Sequence, residues 1–337
     1  MAIASLPSVQ QAFEQFERET VRIPPAEDEA AQNVHQRVRA DIQRHFGRLL
    51  LDHYLSGSYS RRVQVAPKLK DIDVILLLDD PTGSFRHSAT QALQAIEAAV
   101  MTCDLVRAAE IRCRSVRAFL HDYDFTVDLV AALPSSTGTG VLLARRIPEE
   151  GRDDWSWGNP EGQREAAIDK NAACDGVYVP AVRVAKFWKN GACRVFKSYH
   201  AESIMFHSLV SNTPYAEALA GFFDAAYERL APGVYTEDPG APGTRVDERL
   251  EADERAAARD ALAGARTHAS AALSASTPDE ALNCWARVFG PSFPAPATSR
   301  ASIVSSLADR TAGVTGLGVT ARRGPKPVRP RSWRRTQ

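Results

Sequence analysis

The chain has 337 residues, 44% of them hydrophobic and 24% charged, an ordinary globular composition that excludes a collagenous, fibrous or largely disordered protein. That length suits two lobes around one cleft better than one compact core. Basic and acidic side chains balance at 41 each, but seven of the basic ones fall in 321–337 with no acid among them. The other 320 residues hold 34 basic and 41 acidic side chains, a net of −7, which gives no support to a broad phosphate-tracking surface on the body but leaves room for a local basic groove.

In chain order, Val34, Val38, Ile42, Phe46 and Leu49 recur at helical spacing and predict an amphipathic helix over 33–50. A Gly-Ser turn and a basic loop follow. Asp71–Leu78 then reads as a buried strand closed by Asp79-Asp80-Pro81-Thr82-Gly83, and Ser88 as the cap of a helix running to about Met101. Val116–Leu120 and Phe125–Leu133 read as strands joined by a hairpin turn at 121–124. From 163 onward the pattern is helical, over 164–174, 179–190, 198–211, 214–230, 246–274 and 278–288, with 231–244 a Pro/Gly surface loop. Beyond 310 the chain is rich in Gly, Thr, Arg and Pro and reads as a mobile tail.

Five widely spaced cysteines without a CxxC pair give neither a disulfide framework nor a zinc ribbon, and fit a reducing cytoplasm. The longest branched-apolar stretch, Val74 to Leu78, is too short to span a bilayer, and Glu14, Glu17 and Glu19 interrupt any signal-like start. The expectation is a cytoplasmic protein without a membrane partner.

The informative chemistry lies in Gly57-Ser58, Asp71-Ile72-Asp73 and Asp128. Strand side chains alternate, so Asp71 and Asp73 share one face while Ile72 and Val74 enter the core. Carboxylates placed that close call for a divalent cation, and hard oxygen donors suit Mg²⁺ or Mn²⁺. Asp128 alternates out of an apolar strand; if that strand neighbours the first, three acids form one cluster able to hold two ions. Gly57-Ser58 lets backbone amides and a hydroxyl approach phosphates. His200 and His207 lie seven apart on one helix but lack a further ligand at metal spacing, so they read as packing residues.

This set resembles the signature of DNA polymerase β-like nucleotidyltransferases. Val182 through Trp188, Lys197-Ser198-Tyr199-His200-Ala201-Glu202 and Trp285 through Pro294 narrow the resemblance to bacterial CD-NTases, the SMODS-domain cyclic-oligonucleotide synthases of CBASS anti-phage defence, over about 20–295. The resemblance implies an α+β fold, a polymerase β-like lobe with a small mixed sheet packed against a helical, oligoadenylate-synthase-like lobe. Its expected boundaries are 1–160 for the catalytic lobe with its N-terminal helices, 161–310 for the helical lobe and 311–337 for a basic, disordered tail. It also implies Asp71, Asp73 and Asp128 as holders of Mg²⁺, with Mn²⁺ as the other candidate, and Gly57 and Ser58 at the donor triphosphate. Lys186 and Ser198 would grip outer phosphates and Tyr199 would stack on a base; Lys197 reads as a second phosphate contact or a surface charge.

The implied reaction joins NTPs, ATP with GTP, UTP or CTP, into a cyclic di- or trinucleotide that activates a separate effector. Two alternatives share the motifs: an RNA nucleotidyltransferase, which needs a positive track the acidic body lacks, and a catalytically inactive nucleotide sensor. A nucleic-acid partner is left open.

Overall fold

The computed structural model describes residues 8–296, except 196 and 249; the basic tail lies outside the described residues. The chain opens with α1 (Val9–Phe16), capped by the Ser8 side chain. Next comes α2 (Pro25–Phe46), which buries Val34, Val38, Ile42 and Phe46, the stripe its periodicity predicts. The helix stops at Phe46 rather than at residue 50. Gly47 takes a positive φ of 55°, the chain redirects, and Leu50 begins a strand, β1 (Leu50–Ser56).

One helical turn, α3 (Gly57–Ser60), links β1 to β2 (Asp71–Leu78) through the basic loop. Then follow α4 (Ser84–His87), α5 (Ala89–Val100), β3 (Val106–Ile111), β4 (Ser115–Leu120), β5 (Thr126–Pro134), β6 (Val141–Ile147) and β7 (Arg152–Gly158). The seven strands form one mixed sheet in the order β1-β2-β5-β4-β3, with β6 bridging β5 and β7. β2 and β5 run parallel and the other pairs antiparallel. Sheet alternation decides what each face does. Ile72, Val74, Leu76 and Leu78 of β2 and Val127, Leu129, Ala131 and Leu133 of β5 are buried in one core with residues of α2 and α5. Each such side chain contributes roughly 1.5–3 kcal/mol on burial. Asp71, Asp73 and Asp128 therefore occupy the opposite face.

The sequence left β1, β3, β6 and β7 unread, and the reason is physical. β1 exposes Leu51 and Asp52, while β6 and β7 are held together partly by charge: Arg145 donates to both carboxylate oxygens of Asp154 at 2.6 Å. Strands with two half-wet faces lack the apolar alternation that announces a strand.

The second core is helical: α6 (Pro160–Ala173), α7 (Tyr178–Ala192), α8 (Ser198–Ser208), α9 (Tyr215–Arg229), then β8 (Glu237–Asp238) and β9 (Ala241–Arg245), then α10 (Ala252–Leu273) and α11 (Pro278–Phe289). Two expectations are corrected here. The Pro/Gly stretch holds the β8–β9 hairpin, with Thr236 and Asp238 buried, and the helix expected from 246 starts at Ala252, where Glu251 and Glu254 form a capping box. The chain's start belongs to this core as well. Phe13 of α1 lies edge-on to Trp285 and to Phe293, with ring centroids 5.0 Å apart in both pairs. The chain thus starts in the helical core, crosses to build the sheet, and returns. Among the described residues no helix is long and apolar enough to cross a membrane.

Candidate active site

Strand register draws the candidate residues into one row. Ser56 of β1 sits opposite Asp73 of β2, Asp73 opposite Asp128 of β5, and Asp128 opposite Arg117 of β4, all on the face turned away from α2 and α5. Asp71 lies two residues before Asp73 on the same face. The sequence motif separated in the chain is thereby a cluster in space.

Its electrostatics are those of a cation site. Neither Asp71 nor Asp73 accepts a hydrogen bond among the described residues. Burial, followed by the charges of Asp71 and Asp128, pushes the Asp73 carboxyl up to about 7. Burial and Asp128 likewise raise Asp71 above the ordinary carboxylate range, with Arg117 opposing them. Asp128 is held instead by Arg117, whose Nε and Nη2 donate to its two oxygens at 2.8 and 2.7 Å. With Asp128 gripped this way, no group of three His, Cys, Asp or Glu side chains among the described residues closes around a metal position. The donor set still fits one. Two carboxylates that accept no hydrogen bond, on adjacent same-face positions, are hard oxygen ligands whose mutual repulsion a divalent cation relieves.

The turn after β1 packs directly on this pair. Gly57 has φ +65°, and a Cβ built on it would lie 2.7 Å from Asp73 Cγ and closer still to Oδ2. Only glycine lets the turn approach so near. Ser58 beside it lines a cavity of 300 Å³ whose wall also includes Lys70, Asp71, Lys186, Ser198 and Tyr199. A larger cavity of 430 Å³ beside Tyr235, Arg245 and Arg255 shares no residue with the acid row.

The second-core residues are placed differently from one another. Lys186 of α7 reaches the cavity wall but is 3% exposed, and its Nζ donates to Glu202 Oε1 of α8 at 2.8 Å. Arg61, from the loop after α3, donates to Glu202 Oε2 at 2.9 Å, so one buried carboxylate holds cations from both cores. Burial opposes the charge on Glu202, but Arg61 and Lys186 outweigh it and hold its carboxyl below the ordinary range. Lys197 is exposed, at the cap position of α8, and does not line the cavity; the buried Lys189 reaches Ser198 Oγ at 3.4 Å. Tyr199 donates its hydroxyl to Asp238 at 2.6 Å, and the Arg61 guanidinium lies 4.9 Å from its ring centroid. Asp238 also accepts from Gln163, which ties the β8–β9 hairpin and α6 to the same wall. His200 pairs with Thr236 and His207 with the Glu237 carbonyl.

Arg117, Glu202 and Asp238 are residues sequence reasoning did not assign to the site. Arg117 had a usable signal: counting outward from the 121–124 turn pairs 117 with 128. Glu202→Ala would strand two buried cations and is expected to cost about 3–5 kcal/mol in denaturant unfolding. Glu202→Gln, which keeps the acceptor, is expected to cost less, and equal losses would contradict the ion-pair account.

No family model matches the chain. It is 24% identical over 316 residues to a cyclic AMP-AMP-AMP synthase of Acinetobacter sp., covering 86% of this chain and 87% of that protein. It is 26% identical over 162 residues to a cyclic AMP-AMP-GMP synthase of Enterobacter hormaechei, covering 44% and 42%. Among solved structures, CdnC of Escherichia coli in complex with HORMA-deltaN superposes with a TM-score of 0.68 at 20% identity, over 84% of this chain and 98% of that one. The CD-NTase CdnG of Bradyrhizobium diazoefficiens, in complex with GTP, gives 0.66 at 13% identity over 90% and 99%. The shared architecture is the polymerase β-like one, a mixed sheet beside a helical core. With that fold, and with curated relatives that are cyclic-nucleotide synthases, this chain is similar to the nucleotidyltransferases of the CD-NTase group.

Proposed function

We propose that the chain joins NTPs into a cyclic di- or trinucleotide second messenger in anti-phage signalling, at the row formed by Asp71, Asp73 and Asp128. The observation that supports this most is the Asp71–Asp73 pair, free of hydrogen bonds and packed against the Gly57 turn at the edge of a cavity walled by Lys186, Ser198 and Tyr199. Asp71 and Asp73, with Asp128, would hold Mg²⁺ or Mn²⁺; such ions, when bound, lower the pKa of an attacking hydroxyl and neutralise charge on the leaving pyrophosphate.

The chain's own residues orient the reactants. Amides of the Gly57-Ser58 turn and the Ser58 hydroxyl donate to the donor triphosphate, and Ser198 and Lys186 meet its outer phosphates from the opposite wall. Lys197, exposed beside Ser198, adds longer-range attraction. The Tyr199 ring, fixed at its hydroxyl by Asp238, offers a face for a base. In each transfer a 3′- or 2′-hydroxyl oxygen bonds to the α-phosphorus, the bond to pyrophosphate breaks, and the hydroxyl proton passes to Asp128 or solvent. A second transfer within the linear intermediate closes the ring.

This reading divides the chain into a catalytic lobe, a helical nucleotide-binding lobe and a basic tail, and the product acts on a separate effector. The RNA-extending alternative is disfavoured, because the matched relatives are cyclic-nucleotide synthases and the body is acidic. Incubation with four α-labelled NTPs and Mg²⁺ or Mn²⁺, followed by phosphatase, is expected to leave a resistant small product that Asp71→Asn/Asp73→Asn does not make. Extension of added RNA without coupling of free NTPs would overturn the proposal.

A further inference from the structure

Arg117 has no part in the chemistry above, yet it makes the closest contacts to the acid row. It stands opposite Asp128 on β4, between Val116 and Ala118, which are anchored in the sheet core. Its backbone is therefore fixed while its side chain, 29% exposed, lies over the open face. The guanidinium fork takes both oxygens of Asp128, and Nη2 lies 3.9 Å from Asp71 Oδ2. One cation thus touches two of the three carboxylates. The nearby cations Arg61 and Lys186 act on the row only through space, because their hydrogen bonds go to Glu202.

We propose that Arg117 is the built-in counter-cation of the acid row, which holds Asp128 by both oxygens until a divalent ion arrives and thereby sets the ion concentration at which the site loads. The inference rests on the metal-dependent reading of Asp71, Asp73 and Asp128. A bidentate guanidinium and a divalent ion compete for the same inner lone pairs of a carboxylate, and the two cations repel across a few ångströms of partly desolvated space. Loading therefore requires Arg117 to release at least one oxygen of Asp128. Without the guanidinium, the three carboxylates keep only the charges of Arg61, Lys70 and Lys186, none of them hydrogen-bonded to the row, and a divalent ion gains what Arg117 formerly supplied.

Mn²⁺ binding to the nucleotide-free full chain, followed by the electron paramagnetic resonance signal of free Mn²⁺, tests this without any turnover. Arg117→Met, which keeps the apolar stem and loses the charge, is expected to bind Mn²⁺ at least about tenfold tighter than the wild type. It is also expected to melt lower in EDTA and to regain its melting temperature on adding Mn²⁺. Arg117→Lys keeps the charge and loses the fork; it is expected to bind with intermediate affinity, and it carries the test if the methionine variant does not fold. Affinity equal to or weaker than wild type in the folded variants overturns the proposal. Asp71→Asn/Asp73→Asn provides the separate check on the underlying reading: Mn²⁺ binding unchanged in that variant would remove the metal site itself, whereas binding lost there but no tighter in Arg117→Met would overturn the role of Arg117 alone.

Discussion

Asp73→Asn is expected to raise the melting temperature of the metal-free protein at pH 8 while lowering product formation by about a thousandfold or more. The two effects have one cause. Burial and the neighbouring Asp71 and Asp128 lift the Asp73 carboxyl from 3.8 to about 7, so the folded protein holds this proton more tightly than the unfolded chain. Below about pH 4 the group is protonated in both states and costs nothing. As pH rises from there to about 7 the unfolded chain ionises first, and stability falls. Above 7 the full penalty applies, up to about 4 kcal/mol. Asparagine has nearly the same shape and no charge, so the variant escapes that penalty. Catalysis fails because a neutral amide is a poor ligand for a hard divalent ion, and losing several kcal/mol of transition-state stabilisation corresponds to three or more decades in rate. Thermal melts in EDTA at pH 5 and pH 8 check the sign: the advantage of Asp73→Asn should grow with pH. A variant that melts lower than wild type at pH 8 would contradict the picture of an acid row whose cations do not offset the charge on Asp73.

Gly57→Ala is the second large effect. The new methyl carbon would overlap the Asp73 carboxylate, and alanine at φ +65° adds backbone strain of about 1–2 kcal/mol. Either the turn lifts away from β2 or Asp73 leaves its position in the row. Displacements near 1 Å at a reacting centre cost about a hundredfold in rate, so product formation is expected to fall at least that far. Unlike Asp73→Asn, this variant should melt lower than wild type in EDTA. Opposite stability shifts with a shared loss of activity would separate a packing defect from a charge defect at neighbouring atoms.

Much of the site was legible in the sequence because it depends on the simplest periodicity a chain can carry. Along Asp71–Leu78 alternation alone sends the acids to one face and Ile72 and Val74 to the other, as the register with β5 bears out. The helices of the second core were legible where an apolar stripe marks them, as Leu219, Phe222, Phe223 and Ala226 do on α9. Strands β6 and β7 were not, because ion pairs such as Arg145–Asp154 replace part of the apolar pattern. The environment of Lys186 was not legible either. Its spacing marks a helix position upstream of the Lys197-Ser198-Tyr199 segment, but its partner Glu202 and the third member Arg61 meet only through contacts between the two cores, 141 residues apart in the chain for Arg61 and Glu202. Arg117 falls between these cases. Its pairing with Asp128 follows from the hairpin turn, yet its grip on the carboxylate depends on a side-chain conformation that no periodicity specifies.

Diffraction at the manganese edge from crystals of the full chain grown with Mn²⁺ and a nonhydrolysable NTP tests the central claim most directly. The account predicts anomalous density against the oxygens of Asp71 and Asp73, with the triphosphate lying along the Gly57-Ser58 turn and Arg117 withdrawn from at least one oxygen of Asp128. A triphosphate and metal bound elsewhere, with Asp71 and Asp73 unliganded, would contradict it.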